Sequence, residues 1–223
     1  KYDFDAVEID KSFTGEKKKG KQTISTSTFS IGKSDIDINI PTTEKVNQNT
    51  FAVIIANENY DNEKMVQYAY NDGQVFRDYC RKTLGLPEEN IHFRPDATLN
   101  NMKFELNWLK AVSKTHPDAQ IIFYYAGHGM PDESTRESYL LPIDGYSTVS
   151  STGFKLSELY SSLSDLPANN VLVMLDACFS GADRSDNVMA NVRGVRIAPR
   201  VDKPRGNVVV FSATSNQQTA LPY

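Results

Sequence analysis

Reactive side chains are scarce in this chain. Its 223 residues include two cysteines, three histidines and one tryptophan. Cys80 and Cys178 allow one disulfide at most, and there is no CxxC pair or Cys/His cluster of the kind that holds structural zinc. No apolar stretch approaches the roughly 18 residues of a membrane-spanning helix. No secretory signal is present. Because the first residue is Lys1 rather than Met, loss of an N-terminal piece is expected, a signal peptide among the candidates. A net charge of −4 is too small to argue for nucleic acid or anionic lipid as a partner. What remains is the composition of an ordinary soluble protein, 39% hydrophobic and 23% charged, long enough to bury one sizeable core.

Residues 1–50 differ from the rest. They are polar, with a basic run at Lys17-Lys18-Lys19-Gly20-Lys21, read as a solvated turn. Thr26–Ile31 and Ile36-Asp37-Ile38-Asn39-Ile40 alternate as edge strands do. The segment reads as an N-terminal extension, or as a pro-segment that covers a site, ahead of one domain over 51–223. From residue 51 the rhythm is strand, helix, strand, helix. Phe51–Ala56, Asn90–Arg94, 120–126, 170–175 and Asn207–Ser212 read as strands. Helical periods run over Val66–Leu84, where Gly85 can end the helix, and over Asn100–Lys114. Leu156, Leu159, Tyr160 and Leu163 mark a third helix, and a hairpin is expected around Tyr139–Ile143. This alternation predicts an α/β fold with a mostly parallel central sheet flanked by helices.

Two apolar runs end in chemistry. Ile121–Tyr125 leads into Ala126-Gly127-His128-Gly129, and Val171–Leu175 leads into Asp176-Ala177-Cys178-Phe179-Ser180-Gly181. The carboxyl ends of strands in an open α/β sheet are where sites form. A thiol and an imidazole delivered there are the parts of a cysteine hydrolase. The N–H groups of Gly129 and Cys178 can face an oxygen that turns negative during acyl transfer. His92 and His116 have no glycine neighbourhood, and Cys80 sits in a helical pattern, so it reads as a buried inert thiol.

Together, in this order, Tyr125–Gly129 and Asp176–Gly181 resemble the paired motifs of the caspase-like cysteine peptidases, in the metacaspase branch and its bacterial relatives, the orthocaspases. Phe51–Tyr60 and Ala69–Gly73 resemble that family's first strand and first helix, and the likeness runs from about residue 51 onward. It implies the caspase-like (caspase-hemoglobinase) fold and a dyad of His128 and Cys178. It further implies a substrate pocket lined by Asp72 and Asp176, whose carboxylates favour arginine or lysine before the scissile bond. Capping of a helix by Asp72 and of a turn by Asp176 is the alternative. Animal caspases carry Gln-Ala-Cys at the nucleophile; Asp176-Ala177-Cys178 departs from that, and from cleavage after aspartate.

The chemistry requires no cofactor. Some metacaspases use calcium, but the loop acids Asp132, Glu133, Glu137, Asp144, Asp183 and Asp186 are scattered and show no ligand cluster. Residues 182–206 read as a long connection without helical period, rich in candidate self-cleavage sites: Arg184, Arg193, Arg196, Arg200, Lys203 and Arg205. Partners are protein or peptide substrates. Because the family fold usually continues beyond Tyr223, a fragment of a processed precursor or a truncated form is expected, with a second fragment as candidate partner. A catalytically silent interaction module, a peptidase of other specificity and a peptide ligase are rival readings. The compartment stays open: bacterial, and cytoplasmic or exported.

Overall fold

Two of the apolar runs carry no alternation because both of their faces are covered. The computed structural model describes residues 35–132, 134–179 and 205–213. Within them the elements run α1 (Asp35–Ile38), β1 (Thr50–Ala56), α2 (Ala69–Lys82), β2 (Ile91–Pro95), α3 (Leu99–Thr115) and β3 (Gln120–Ala126). They continue with β4 (Gly129–Pro131), β5 (Ser138–Leu140), β6 (Phe154–Lys155), α4 (Leu156–Ser164), β7 (Asn170–Asp176) and β8 (Val208–Ser212). The main sheet has the order β2-β1-β3-β7-β8, and every neighbouring pair is parallel. Short antiparallel strands β4, β5 and β6 form a second sheet. The predicted α/β architecture and its five parallel strands are present.

The chain steps from β1 outward to β2, then back across to β3, β7 and β8. Right-handed crossovers therefore place α2 on one face and α3 and α4 on the other. The two apolar clusters agree. Phe51, Val53, Ile55, Phe123 and Tyr125 pack with α3 and α4, while Ala52, Ile54, Ile122 and Tyr124 pack with α2. Gly73 lets α2 sit tightly on the end of β1: a Cβ there would lie 2.6 Å from Ala56 Cβ. The reversal between β1 and β3 is a topological switch point, the place where open α/β sheets form clefts. Among the described residues no helix is long and apolar enough to cross a membrane.

Two expectations need correction. Ile36–Ile40 is not a strand: Asp35–Ile38 is a helical turn, with Ile36 and Ile38 exposed. Alternation makes a strand only where a sheet offers an edge and a face to bury it, and here neither is at hand. The stretch is instead tied to the end of α2, where Tyr79 Oη donates to Ile36 O and Thr83 Oγ1 to Pro41 O. The helix expected from Val66 begins at Ala69, because Tyr68 takes a left-handed conformation (φ 70°). Val66 is buried all the same, as a loop residue whose N–H donates to Glu58 O. The basic run Lys17–Lys21 and Thr26–Ile31 lie outside the described residues. Cys80 is buried and unbonded to Cys178, and burial pushes its thiol up to about 12, as an inert thiol should be.

Candidate active site

Strand register decides which loops meet. Ala126 of β3 pairs with Asp176 of β7, so His128 and Cys178 each lie two residues beyond the same rung of the sheet. Gly127 N–H donates to Asp176 O, which carries the two chains out of the sheet together. Gly129 then lies directly on the cysteine segment. A Cβ at that position would stand 2.8 Å from Cys178 O and 2.7 Å from the Phe179 ring. Glycine is thus required at 129 by the closeness of the two loops. Cys178 is in no disulfide and is buried.

His128 is held from several sides. Its N–H donates to Tyr60 Oη at 2.8 Å, and its carbonyl accepts from Leu141 N–H and Tyr125 Oη. Its ring leans on the Tyr60 ring, centroids 4.8 Å apart. Its Nε2 lies 2.8 Å from Lys64 O. A carbonyl can only accept, so Nε2 carries a proton, which in the neutral form of the ring puts the lone pair on Nδ1. The Gly129–Leu140 pair sits between hydrogen-bonded rungs of the β4–β5 hairpin, as Leu141 N–H donates to His128 O. The Gly129 N–H therefore points away from β5.

The acids expected in a pocket fall on one side of the sheet. Strand alternation puts Asp176 on the face that α2 covers, and Asp72 lies in the first turn of α2. Asp176, Ala126 and Ala56 form one row across three strands, with Gly73 of α2 over Ala56. Both alanines are fully buried, and both acids are half-buried. The other histidines are engaged elsewhere. His92 pairs with the buried Glu105 and stacks on Trp108, and His116 caps α3.

The loop that follows β1 was silent in the sequence as a source of site residues, yet it supplies Tyr60 and Lys64. Two polar residues hold it. Asn57 is fully buried; its Nδ2 donates to Ala97 O and Leu141 O, and its Oδ1 accepts from Ala97 N–H. Asp96, in a left-handed conformation, accepts from Glu58 N–H, Asn59 N–H and Asn59 Nδ2. Burial raises the Asp96 carboxyl, but these hydrogen bonds together outweigh it and hold the group below its ordinary range. The available signal was Asn57-Glu58-Asn59-Tyr60, a polar run at the carboxyl end of a central strand.

The loop acids considered for calcium have structural partners. Asp132 accepts from Ser134 and Thr135, which lowers its carboxyl well below the usual range. Glu137 pairs with Lys155, and Asp144 accepts from Leu99 N–H at the start of α3. Among the described residues no group of three or more His, Cys, Asp or Glu is placed to hold a metal ion. Glu133, Asp183 and Asp186 lie outside the described residues, as do Arg184, Arg193, Arg196, Arg200 and Lys203. Arg205 is exposed, and its N–H donates to Ser164 Oγ.

Comparison with known proteins gives a family. No curated protein is detectably similar in sequence. The crystal structure of protein GSU0716 from Geobacter sulfurreducens superposes with a TM-score of 0.47 at 18% identity, over 60% of this chain and 52% of that one. The chain thus spans about half the length of that protein. The family model of the caspase domain matches residues 49–222. Since that match runs through all five strands of the parallel sheet and through both His128 and Cys178, the chain belongs to the caspase-domain family of peptidases.

Proposed function

We propose that this protein is a cysteine endopeptidase that cuts after arginine or lysine with a His128–Cys178 dyad. The observation that carries the reading is the equal placement of both residues beyond the Ala126–Asp176 rung, with Gly129 seated on Cys178 and Phe179. The Cys178 proton passes to His128 Nδ1, and the thiolate attacks the peptide carbonyl. The N–H groups of Gly129 and Cys178 hold the oxyanion. Collapse releases the amine, which takes the proton from Nδ1, and leaves a thioester. Water, deprotonated by the same Nδ1, then attacks the thioester and frees the acid and the thiol. Throughout, Nε2–H stays on Lys64 O and keeps the ring oriented.

The placement of the two acids supports the specificity. Asp176, at the carboxyl end of β7, and Asp72, in the first turn of α2, are half-buried carboxylates on the same side of the sheet. A guanidinium entering there meets negative charge, and an aspartate is repelled. The decisive experiment is a fluorogenic peptide panel with Arg, Lys, Asp or Asn before the scissile bond, run with and without calcium. Turnover of the Arg and Lys peptides is expected, lost in Cys178→Ala without change in the melting curve. Asp176→Ala should lower kcat/KM for arginine peptides roughly ten- to hundredfold, the size of one charge-assisted hydrogen bond. A wild type that turns over none of the peptides and whose Cys178 takes no label from an active-site-directed electrophile would instead favour a silent binding module.

A further inference from the structure

We infer that Tyr60 is a positioning residue for His128, its hydroxyl forming one half of a two-tyrosine clamp on the histidine backbone. The inference rests on the dyad reading above. Proton directions follow from the partners. An amide N–H can only donate, so Tyr60 Oη accepts from His128 N–H at 2.8 Å. Carbonyls can only accept, so the single proton of Tyr125 Oη is shared between the His128 and Leu141 oxygens, each 2.8 Å away. The Tyr60 proton is then directed at Tyr125 Oη, 3.4 Å away. Burial pushes the Tyr60 phenol up to about 12, so that proton stays in place at working pH. The result is a ring of hydrogen bonds that leaves His128 by its N–H, passes through two hydroxyls and returns to its C=O.

The residue before the histidine is shaped to admit this ring. Gly127 is in a conformation that side chains rarely take (φ 156°), and a Cβ there would lie 2.6 Å from Tyr60 Oη and 2.7 Å from Tyr125 Oη. The hydroxyls occupy the volume that any other residue would need. Tyr60 also supplies the tilted ring against which the imidazole rests, and Lys64, four residues on, supplies the carbonyl that fixes its tautomer. One loop thus sets the backbone, the ring plane and the protonated nitrogen of His128.

Tyr60→Phe tests the hydroxyl while keeping the ring. It should lower kcat about ten- to hundredfold, as expected when a catalytic group drifts by a fraction of an ångström to one ångström, and leave KM little changed. In 15N spectra of histidine-labelled protein, His128 of the wild type should show one tautomer with the proton on Nε2, and the variant an exchanging mixture. A wild-type kcat with the single tautomer retained overturns the inference. So does a kcat loss matched by the unfolded fraction while the tautomer stays fixed. Should Tyr60→Phe not fold, Tyr125→Phe opens the same ring from its other half, with the same expectation and the same overturning results. Cys178→Ala, run alongside, separates the two levels. If it retains activity, the dyad reading fails and this inference with it. If it is inactive while Tyr60→Phe turns over normally, the clamp alone is refuted.

Discussion

At the scale of single residues, Gly129 is an exacting position between the loops of His128 and Cys178. Its neighbours are the Cys178 carbonyl and the Phe179 ring, and backbone cannot move aside as a flexible side-chain tip can. Gly129→Ala should therefore push the cysteine loop away from the histidine loop. A shift near 1 Å at a reacting group costs about a hundredfold in rate, whereas one added methyl at a loop contact costs roughly 1–3 kcal/mol of stability. The expectation is a kcat loss well beyond what the melting curve explains, measured as kcat and Tm on the same preparation. A variant with wild-type kcat would mean that the two loops do not depend on this contact. The sequence showed that a glycine flanked the histidine, but it did not show what the glycine touches, because that neighbour lies on another strand.

At the scale of elements, the loop after β1 works because Asp96 follows directly on β2. Three donors from Glu58 and Asn59 converge on one carboxylate just ahead of Tyr60. Its folded pKa is depressed, so its contribution to stability is fully present above the unfolded value of about 4 and disappears as pH falls through the folded value. Asp96→Asn keeps the shape and removes that dependence. Melting temperatures of wild type and variant should differ by a constant amount at neutral pH, and the gap should close below about pH 4. Curves that stay equally far apart at acid pH would assign the stabilisation elsewhere. The strands were legible for a simple reason: β1 and β3 are covered on both faces, so their residues are apolar without interruption. Helix α3 was legible because one face is periodic. The roles of Asp96, Asn57, Tyr60 and Lys64 were not, since they act through backbone groups brought near by the topology, and neither hydrophobic period nor spacing reports such contacts. Ile36–Ile40 misled for the opposite cause, a local pattern with no sheet beside it.

At the scale of the whole molecule, the connection from β7 to β8 begins directly after Cys178, the proposed nucleophile. It leaves the carboxyl end of the sheet after Phe179 and is back at the amino end by Asn207, whose Nδ2 donates to Ala168 O and Asn169 O. Running the length of a seven-residue strand needs about 23 Å, while the stretch 180–204 could reach about 80 Å if extended, far more than the crossing requires. That stretch holds Arg184, Arg193, Arg196, Arg200 and Lys203, with the exposed Arg205 just after it. If the pocket selects Arg and Lys, this connection is the nearest substrate, present at high effective concentration. Purified wild type should therefore split after one or more of these residues, and Cys178→Ala should stay whole. N-terminal sequencing of the fragments reads the cut directly, and dilution separates the routes: cleavage within one molecule keeps its rate, while cleavage between molecules slows in proportion. A wild type that turns over added arginine peptides yet remains intact between Phe179 and Asn207 would remove self-cleavage here as the trigger, and would direct the search to residues 1–50 instead.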